Sequence, residues 1–306
     1  MSIAAAPKRQ KQSVNLVLTV IETVAPVFLL AAVGFVWVKA GFEYRVEFVT
    51  RLAMTLSVPC LIFVALMRAD VEPAALTTLS LASVVAYAAI TLVFWGIVRL
   101  AGLDRRTYLS PLIFGNTGNI GLPLAMFAFG EAGLGYAVVV FAVMAILSFT
   151  IGVWLVSDTG SPARVLKEPM VGATVLGAVF LWQGWTTPLW LTNTLQLAGQ
   201  MAIPLMLITL GVAVARLHPS GFLRPLVLSL VKVAVCTAVA WGLGLWFALP
   251  AVPFAILVLQ VASPVAVTSY LIAEKYKADA DAVAGLVVVS TLVSVVTIPV
   301  TLAFLL

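Results

Sequence analysis

Long apolar stretches separated by short polar connections are the dominant pattern along the chain. Each stretch runs for about 20 residues, the length that a helix needs to cross the hydrocarbon core of a bilayer. None shows a strict two-residue alternation, so the pattern favours helices over the strands of a membrane barrel. Ten helices are predicted, at residues 15–38, 46–67, 74–100, 107–129, 133–156, 166–183, 188–214, 222–247, 252–275 and 280–305.

Composition supports a membrane location. Of the 306 residues, 63% are hydrophobic and 9% are charged. A water-soluble domain of this size needs a polar surface that this composition cannot supply. In lipid every backbone amide needs an internal partner, which regular helices provide. The sequence therefore predicts an all-α membrane protein of ten transmembrane helices, with the lipid bilayer around it.

The two halves of the chain resemble each other when one is shifted by about 146 positions. Trp95-Gly96 then aligns with Trp241-Gly242, and Ser83 and Ser148 align with Ser229 and Ser294. The predicted units are a five-helix repeat at 1–156, a loop at 157–165 and a second repeat at 166–306. Because five is an odd number, the second repeat enters the membrane from the opposite side, which is the inverted repeat of many secondary transporters.

Basic residues indicate the orientation, because cytoplasmic loops are enriched in Lys and Arg. One side carries four of them: Lys8, Arg9, Lys11 and Arg68. The other side carries Lys39, Arg45, Arg51, Arg99, Arg105, Arg106, Arg164, Lys167, Arg216, Arg224, Lys275 and Lys277. The larger set is predicted to be cytoplasmic, with both termini outside, although the N-terminal cluster argues for the reverse.

Helix breakers occur in the middle of two predicted helices. Helix 4 contains the run from Gly115 to Pro123, with three glycines, two asparagines and a proline, and helix 9 contains Pro264 within a run from Gln260 to Ser269. Gly and Pro destabilise a helix, and broken backbone at this depth is tolerated where it lines a cavity or is covered by protein. Pro264 aligns with Gly118 at the repeat offset, so the two breaks correspond.

Paired breaks of this kind predict a binding site. If both helices unwind where they cross, two helix N-termini meet there, and their free amides and partial positive charge suit a carboxylate. The predicted site residues are those of the two broken segments: Asn116, Thr117, Asn119, Pro123, Ser263, Pro264, Thr268 and Ser269. The alternative is that Gly and Pro only permit close, kinked helix packing.

Lys232 is a basic residue about ten positions into predicted helix 8. A lysine at this depth is a functional candidate, either as the counter-charge of an anion or in proton coupling. The alternative is a lysine whose side chain reaches the cytoplasmic surface. Both interpretations stay open at the level of sequence.

Other chemistries lack their sequence features. The chain has no Gly-rich phosphate loop and no nucleophile set, and one His and two Cys do not form a metal site. The net charge of +5 is spread over short loops, which is unlike a nucleic-acid surface. We therefore expect no enzyme activity, no cofactor, no metal and no nucleic-acid partner.

The chain resembles the auxin efflux carrier family, which includes plant PIN-type carriers and bacterial malate and malonate permeases. The most specific segment is NTGNIGLPLAMFAFGEAG at 116–133. Supporting segments lie at 26–41, 56–61 and 264–276, so the likeness extends over nearly the whole chain in order and spacing. The matched site positions are Asn116, Asn119, Pro123 and Pro264.

The resemblance implies the fold of the bile acid sodium symporters, with helices 4 and 9 crossing at the site. It implies a scaffold at 15–67 plus 166–214, a transport domain at 74–156 plus 222–305, an elevator-like motion and a homodimer. Plant carriers have an Asn-Pro-Asn feature in helix 9, whereas this chain has Ser263-Pro264-Val265. The side chain of Val265 cannot hydrogen-bond a carboxylate, which puts auxin itself in doubt.

The leading hypothesis is therefore a secondary transporter or exporter of small organic anions, auxin-like or such as malate or malonate, in a bacterial inner membrane. Proton coupling through Lys232 is one option. A sodium-coupled symporter of bile-acid type is a second hypothesis, which the absence of an acid in either break disfavours. A membrane scaffold or sensor without transport is a third.

Overall fold

The computed structural model describes residues 8–68, 73–157, 169–216 and 221–306, and this part of the chain is helical. Most of the predicted loop at 157–165, including Arg164, falls outside the described residues, as does Lys167. The helices are α1 Lys8–Lys39, α2 Val46–Leu52, α3 Val58–Met67, α4 Pro73–Leu100, α5 Arg105–Ile113, α6 Leu122–Leu147, α7 Val153–Ser157, α8 Pro169–Gln183, α9 Leu189–Gln200, α10 Ala202–Arg216, α11 Leu223–Trp246, α12 Ala251–Val261, α13 Val267–Lys275 and α14 Ala280–Leu305. Three π-helical turns also occur: Ala53–Ser57 joins α2 to α3, Thr117–Gly121 leads into α6, and Ser148–Gly152 joins α6 to α7.

Six helical runs in this described part are long and apolar enough to cross a membrane. They are Val46–Met67, Ala74–Leu100, Thr117–Ser157, Leu189–Arg216, Leu223–Trp246 and Ala280–Leu305. Shorter apolar helices lie at Ala25–Lys39, Gly172–Gln183 and Ala251–Val261. The chain is thus an all-helical, multi-pass membrane protein.

The run from Thr117 to Ser157 is a hairpin of two legs. It has 41 residues, and as a straight helix it would be about 60 Å long, twice the hydrocarbon thickness of a bilayer. Gly130 interrupts it with φ 65° and ψ −155°, a left-handed conformation that favours glycine. A Cβ added at Gly118 in the first leg would lie 3.1 Å from the ring of Phe141 in the second leg, which shows that the chain turns back at Gly130.

The helices pack in two groups. The first group consists of α1–α3 and α8–α10, in which α1 lies along α10 and α3 packs on α8 and α9. The second group consists of α4–α7 and α11–α14, with its main contacts between α11 and α14, α6 and α12, and α4 and α6. The groups meet where α1 contacts α6 and α14, and where α3 contacts α6.

Most predicted helix ends lie within a few residues of the observed ones, with three differences. The first helix begins at Lys8 instead of residue 15. The predicted helix at 188–214 is divided at Met201 into α9 and α10. The predicted helices at 107–129 and 252–275 are each two separate helices, because the chain becomes extended at Phe114 (φ −96°, ψ 123°) and leaves the helical path after Val261.

Candidate functional site

The first break lies between α5 and α6. Asp104 starts α5 by accepting hydrogen bonds from the backbone N–H groups of Arg106 and Thr107. The helix ends at Ile113, and the chain restarts at Asn116, whose side-chain oxygen accepts the N–H of Asn119 at 3.3 Å. This is an asparagine N-cap, which satisfies one of the free amides at the start of a helix.

The second break lies between α12 and α13 and pairs with the first. Gly115 and Val265 form an antiparallel bridge, and the N–H of Asn116 donates to the Pro264 carbonyl at 2.6 Å. The N–H of Val265 donates to Ser290 Oγ of α14 at 3.0 Å. The two broken helices therefore cross at their breaks, and backbone hydrogen bonds hold the crossing together.

Gly115 allows this close approach. A Cβ at this position would lie 2.9 Å from the Ser263 carbonyl oxygen and even closer to its side-chain oxygen. Positive φ angles among the described glycines occur at other positions. Gly115 is thus required for contact between the two backbones and not for a special torsion.

A cavity with about 880 Å³ of empty space, including its open mouth, borders the crossing. The second helix group contributes Asn116, Asn119 and Thr268 to its wall, together with apolar side chains of α6. The first group contributes residues of α2, of the π-helical turn after α2 and of α10. They are Val46, Thr50, Ala53, Met54, Met206, Thr209 and Ala213. Among the residues that the structure describes, no charged side chain lines the cavity.

The predicted site residues divide between this cavity and the interior of the crossing. Asn116, Asn119 and Thr268 line the cavity, and the side-chain nitrogen of Asn116 is buried without a hydrogen-bond partner among the described residues. Thr117 and Ser263 are also buried, and their hydroxyls have no hydrogen-bond partner in the described part of the chain, but they do not line the cavity.

The remaining three predicted residues have backbone roles or face inward. Pro123 lies in the first turn of α6, a position at which a helix tolerates proline. Pro264 provides the carbonyl that Asn116 contacts. Ser269 is buried away from the cavity, and its N–H donates to the carbonyl of Ala266.

Lys232 of α11 is fully buried, and its ammonium donates to the Leu112 carbonyl at 2.8 Å. Leu112 lies in the last turn of α5, next to the first break. Lys232 does not line the cavity. It therefore contacts the backbone that forms the site, while its side chain stays away from the surface.

Two polar residues at the crossing were not among the predicted site residues. Gln260 at the end of α12 packs against Gly121, and its side-chain oxygen has no partner in the described structure. Ser290 holds Val265 from α14. Gln260 could have been predicted from the sequence, because it is the polar residue of an otherwise apolar helix. Ser290 could not, because it resembles the other hydroxyl residues of α14.

Tyr44, in the connection between α1 and α2, supports the cavity wall. Its hydroxyl shares a 2.7 Å hydrogen bond with Thr209, and its carbonyl accepts Arg216 at 2.6 Å. Burial raises the pKa of Tyr44, and the hydrogen bond to Thr209 opposes this effect. Tyr44 is therefore neutral at physiological pH and helps to fix α10 beside the cavity.

The starts of two helices supply backbone hydrogen-bond donors at the crossing. The helical hydrogen bonds of the Thr117 turn begin with the N–H groups of Ile120 and Gly121, both bonded to the Asn116 carbonyl. The amides of Thr117 and Gly118 precede them, and Val267 and Thr268 hold the same position at the start of α13. Within the described residues no group of three metal-ligating side chains occurs.

Comparison with known proteins gives the family. The profile of the membrane transport protein family matches residues 19–168 and 159–302. An uncharacterized transporter of the archaeon Methanothermobacter thermautotrophicus is 26% identical over 296 residues, which cover 91% of this chain and 96% of that protein. The match extends over both breaks and nearly the whole length. The chain therefore belongs to the membrane transport protein family, the family of the auxin efflux carriers.

Proposed function

We propose that this membrane transporter carries small organic anions, and that the substrate binds in the cavity at the crossing. The observation that carries the proposal is the meeting of two helix N-termini, at Thr117 and Val267, beside a cavity with an unpaired amide nitrogen. Each N-terminus has the equivalent of about half a positive charge. Backbone amides in this position bind carboxylates and phosphates without a basic side chain.

Cavity size and composition favour a small, partly apolar carboxylate. The empty space of about 880 Å³ counts the open mouth, so the enclosed part of the cavity is smaller and suits a small ligand. Phe141, Met144 and Met206 provide apolar surface, and Asn119 and Thr268 provide hydrogen-bonding groups. Malate, malonate and indole acetate are suitable test compounds, because they combine carboxylates with apolar parts of different size.

The two helix groups correspond to a scaffold at 15–67 plus 166–214 and a transport domain at 74–156 plus 222–305. Walls from both groups enclose the cavity, so movement of one group past the other would open and close it. A second cavity lies at the same boundary, lined by Leu61 and Gln196 of the first group and by Met126 and Leu134 of the second. The two cavities border opposite ends of the Val46–Met67 helix, which supports an elevator mechanism with access from alternate sides.

The rest of the architecture in this proposal is ten spans in two inverted repeats, a homodimer and a bacterial inner membrane. The Gly130 hairpin and the two paired breaks support the ten-span arrangement. Both termini are extracytoplasmic in this arrangement. Reporter fusions to the C-terminus test the orientation, and a cytoplasmic reporter signal would refute it.

Transport in proteoliposomes tests the function. We expect uptake of at least one of labelled malate, malonate or indole acetate by the wild-type protein. Asn119→Ala should reduce uptake at least about tenfold, since one hydrogen bond to a charged group contributes about 1.5–3 kcal/mol. Asn193 is an exposed asparagine on α9, and Asn193→Ala should transport normally. Absence of flux for every carboxylate, or equal loss in both variants, would refute the proposal.

A further inference from the structure

The C-terminal end of α5 places partial negative charge inside the protein. The last N–H bonded back into this helix is that of Phe114, which donates to Ser110. The chain then becomes extended, so the carbonyl groups of the final turn lack helical partners. Leu112 and Ile113 are fully buried. This end of the helix carries partial negative charge in a place that bulk water does not reach.

Lys232 places its side-chain amine at this end of α5. Its ammonium donates to the Leu112 carbonyl at 2.8 Å. Among the residues whose burial the structure describes, Lys232 is the one charged side chain in the buried class. A lysine in such surroundings is costly unless it has a partner of opposite sign. The carbonyl end of α5, with its partial negative charge, is the partner that the structure gives this amine.

In the described part of the chain, the hydrogen bonds at the second break involve backbone groups and a serine hydroxyl, and no charged side chain. The N–H of Ser263 donates to the Gln260 carbonyl at 3.3 Å, and the N–H of Val265 donates to the Ser290 hydroxyl. The two breaks thus differ in what stabilises them, although their backbones pair. In secondary transporters with discontinuous helices, C-terminal ends of half-helices are where coupling cations are coordinated.

We propose that the Lys232 ammonium is a built-in cation that takes the place of a coupling sodium ion at the C-terminal end of α5. It fixes the end of α5 and so positions the crossing, and the protein has no sodium requirement there. Lys232 is a positioning residue, because it contacts the backbone next to the cavity and not the cavity itself. The inference rests on the proposed function for its link to transport.

Thermal unfolding of the detergent-solubilised protein tests this inference without any substrate. We compare sodium chloride, methylammonium chloride and choline chloride at equal ionic strength, so that general screening is the same. The wild-type melting temperature should be the same in all three salts. Lys232→Ala should melt about 5 °C lower in choline. Sodium or methylammonium should restore part of that loss, because either cation fits the vacated position.

The control is Leu228→Ala, which shortens a buried side chain one turn away on the same helix. It should also melt lower, but with no difference among the salts. If Lys232→Ala does not fold, Lys232→Gln keeps a donor for Leu112 without the charge and should show the same cation response. Lys232→Arg should remain salt-insensitive.

Two results would overturn the inference. One is a wild-type melting temperature that is higher in sodium chloride than in choline chloride. Sodium would then bind at the end of α5 although Lys232 is present. The other is a Lys232→Ala or Lys232→Gln protein whose melting temperature is the same in all three salts, as expected for Leu228→Ala. The melting assay contains no carboxylate, so its result does not depend on the substrate. If the melting temperatures behave as expected but proteoliposomes take up no organic anion, only the proposed function is refuted.

Discussion

Gly115 at the crossing offers a direct test of how the two broken helices are held together. A Cβ added there would lie 2.9 Å from the Ser263 carbonyl oxygen, a backbone atom that moves only if the second break moves. The adjacent hydrogen bond from Asn116 to Pro264 is 2.6 Å long and would be strained by that movement. Gly115→Ala should therefore separate the breaks and not merely fill space.

The expected loss of stability has two parts. Overpacking of a close contact costs about 1–3 kcal/mol. Weakening a buried backbone hydrogen bond costs about 1–3 kcal/mol more, because both groups lose their partner. A total of about 2–6 kcal/mol lowers the melting temperature by roughly 3–9 °C for a protein of this length. Intrinsic fluorescence during heating in detergent measures it.

Two further variants give this test its controls. Gly96 lies inside α4 with no atom near the position of an added Cβ, so Gly96→Ala should be neutral or stabilise the helix by about 0.5–1 kcal/mol. Combining Gly115→Ala with Ser263→Ala removes the clash with the serine hydroxyl but not the one with its carbonyl, so recovery should be partial. A Gly115→Ala protein with wild-type melting temperature and uptake would refute the reasoning.

Two other predictions concern the supports of the site. Ser290→Ala removes the hydroxyl that accepts the Val265 N–H and should destabilise the protein by about 1–3 kcal/mol. The matched Ser294→Ala should have little effect, because that hydroxyl bonds within its own helix; equal losses would contradict the prediction. Since burial raises the pKa of Tyr44 above 10.0, its contribution to stability is present below that pH and is lost as pH rises through the raised value. In melting temperatures measured over a series of pH values, Tyr44→Phe should lose less stability at alkaline pH than the wild type. The same pH dependence in both proteins would contradict the prediction.

The sequence predicted the breaks because their cause is local. Three glycines and a proline between residues 115 and 123 cannot sustain a regular helix, and Pro264 has the same effect in the second half. Asn116 and Asn119 were predicted as hydrogen-bonding residues of the site, because they lie within the first of these broken segments. These predictions needed only neighbouring residues.

The pairing across the crossing was not predictable in detail, because it depends on residues far apart in the chain. Aligning the halves by their tryptophans places Pro264 with Gly118, whereas the backbones pair Gly115 with Val265. The partner of Lys232 is a backbone carbonyl, and any residue type supplies one. The burial of Lys232 therefore became clear only when α11 was placed against the end of α5.

The central claim is that a small carboxylate binds at the crossing, and protection of one introduced cysteine tests it most directly. Thr268→Cys places a thiol in the cavity wall, in a protein with the half-exposed Cys60 replaced by alanine; Cys236 is buried and serves as the unreactive background. We predict that malate, malonate or indole acetate slows alkylation of this thiol at least about threefold, while a neutral analogue of similar size does not. Alkylation at the same rate with and without every carboxylate would contradict the account.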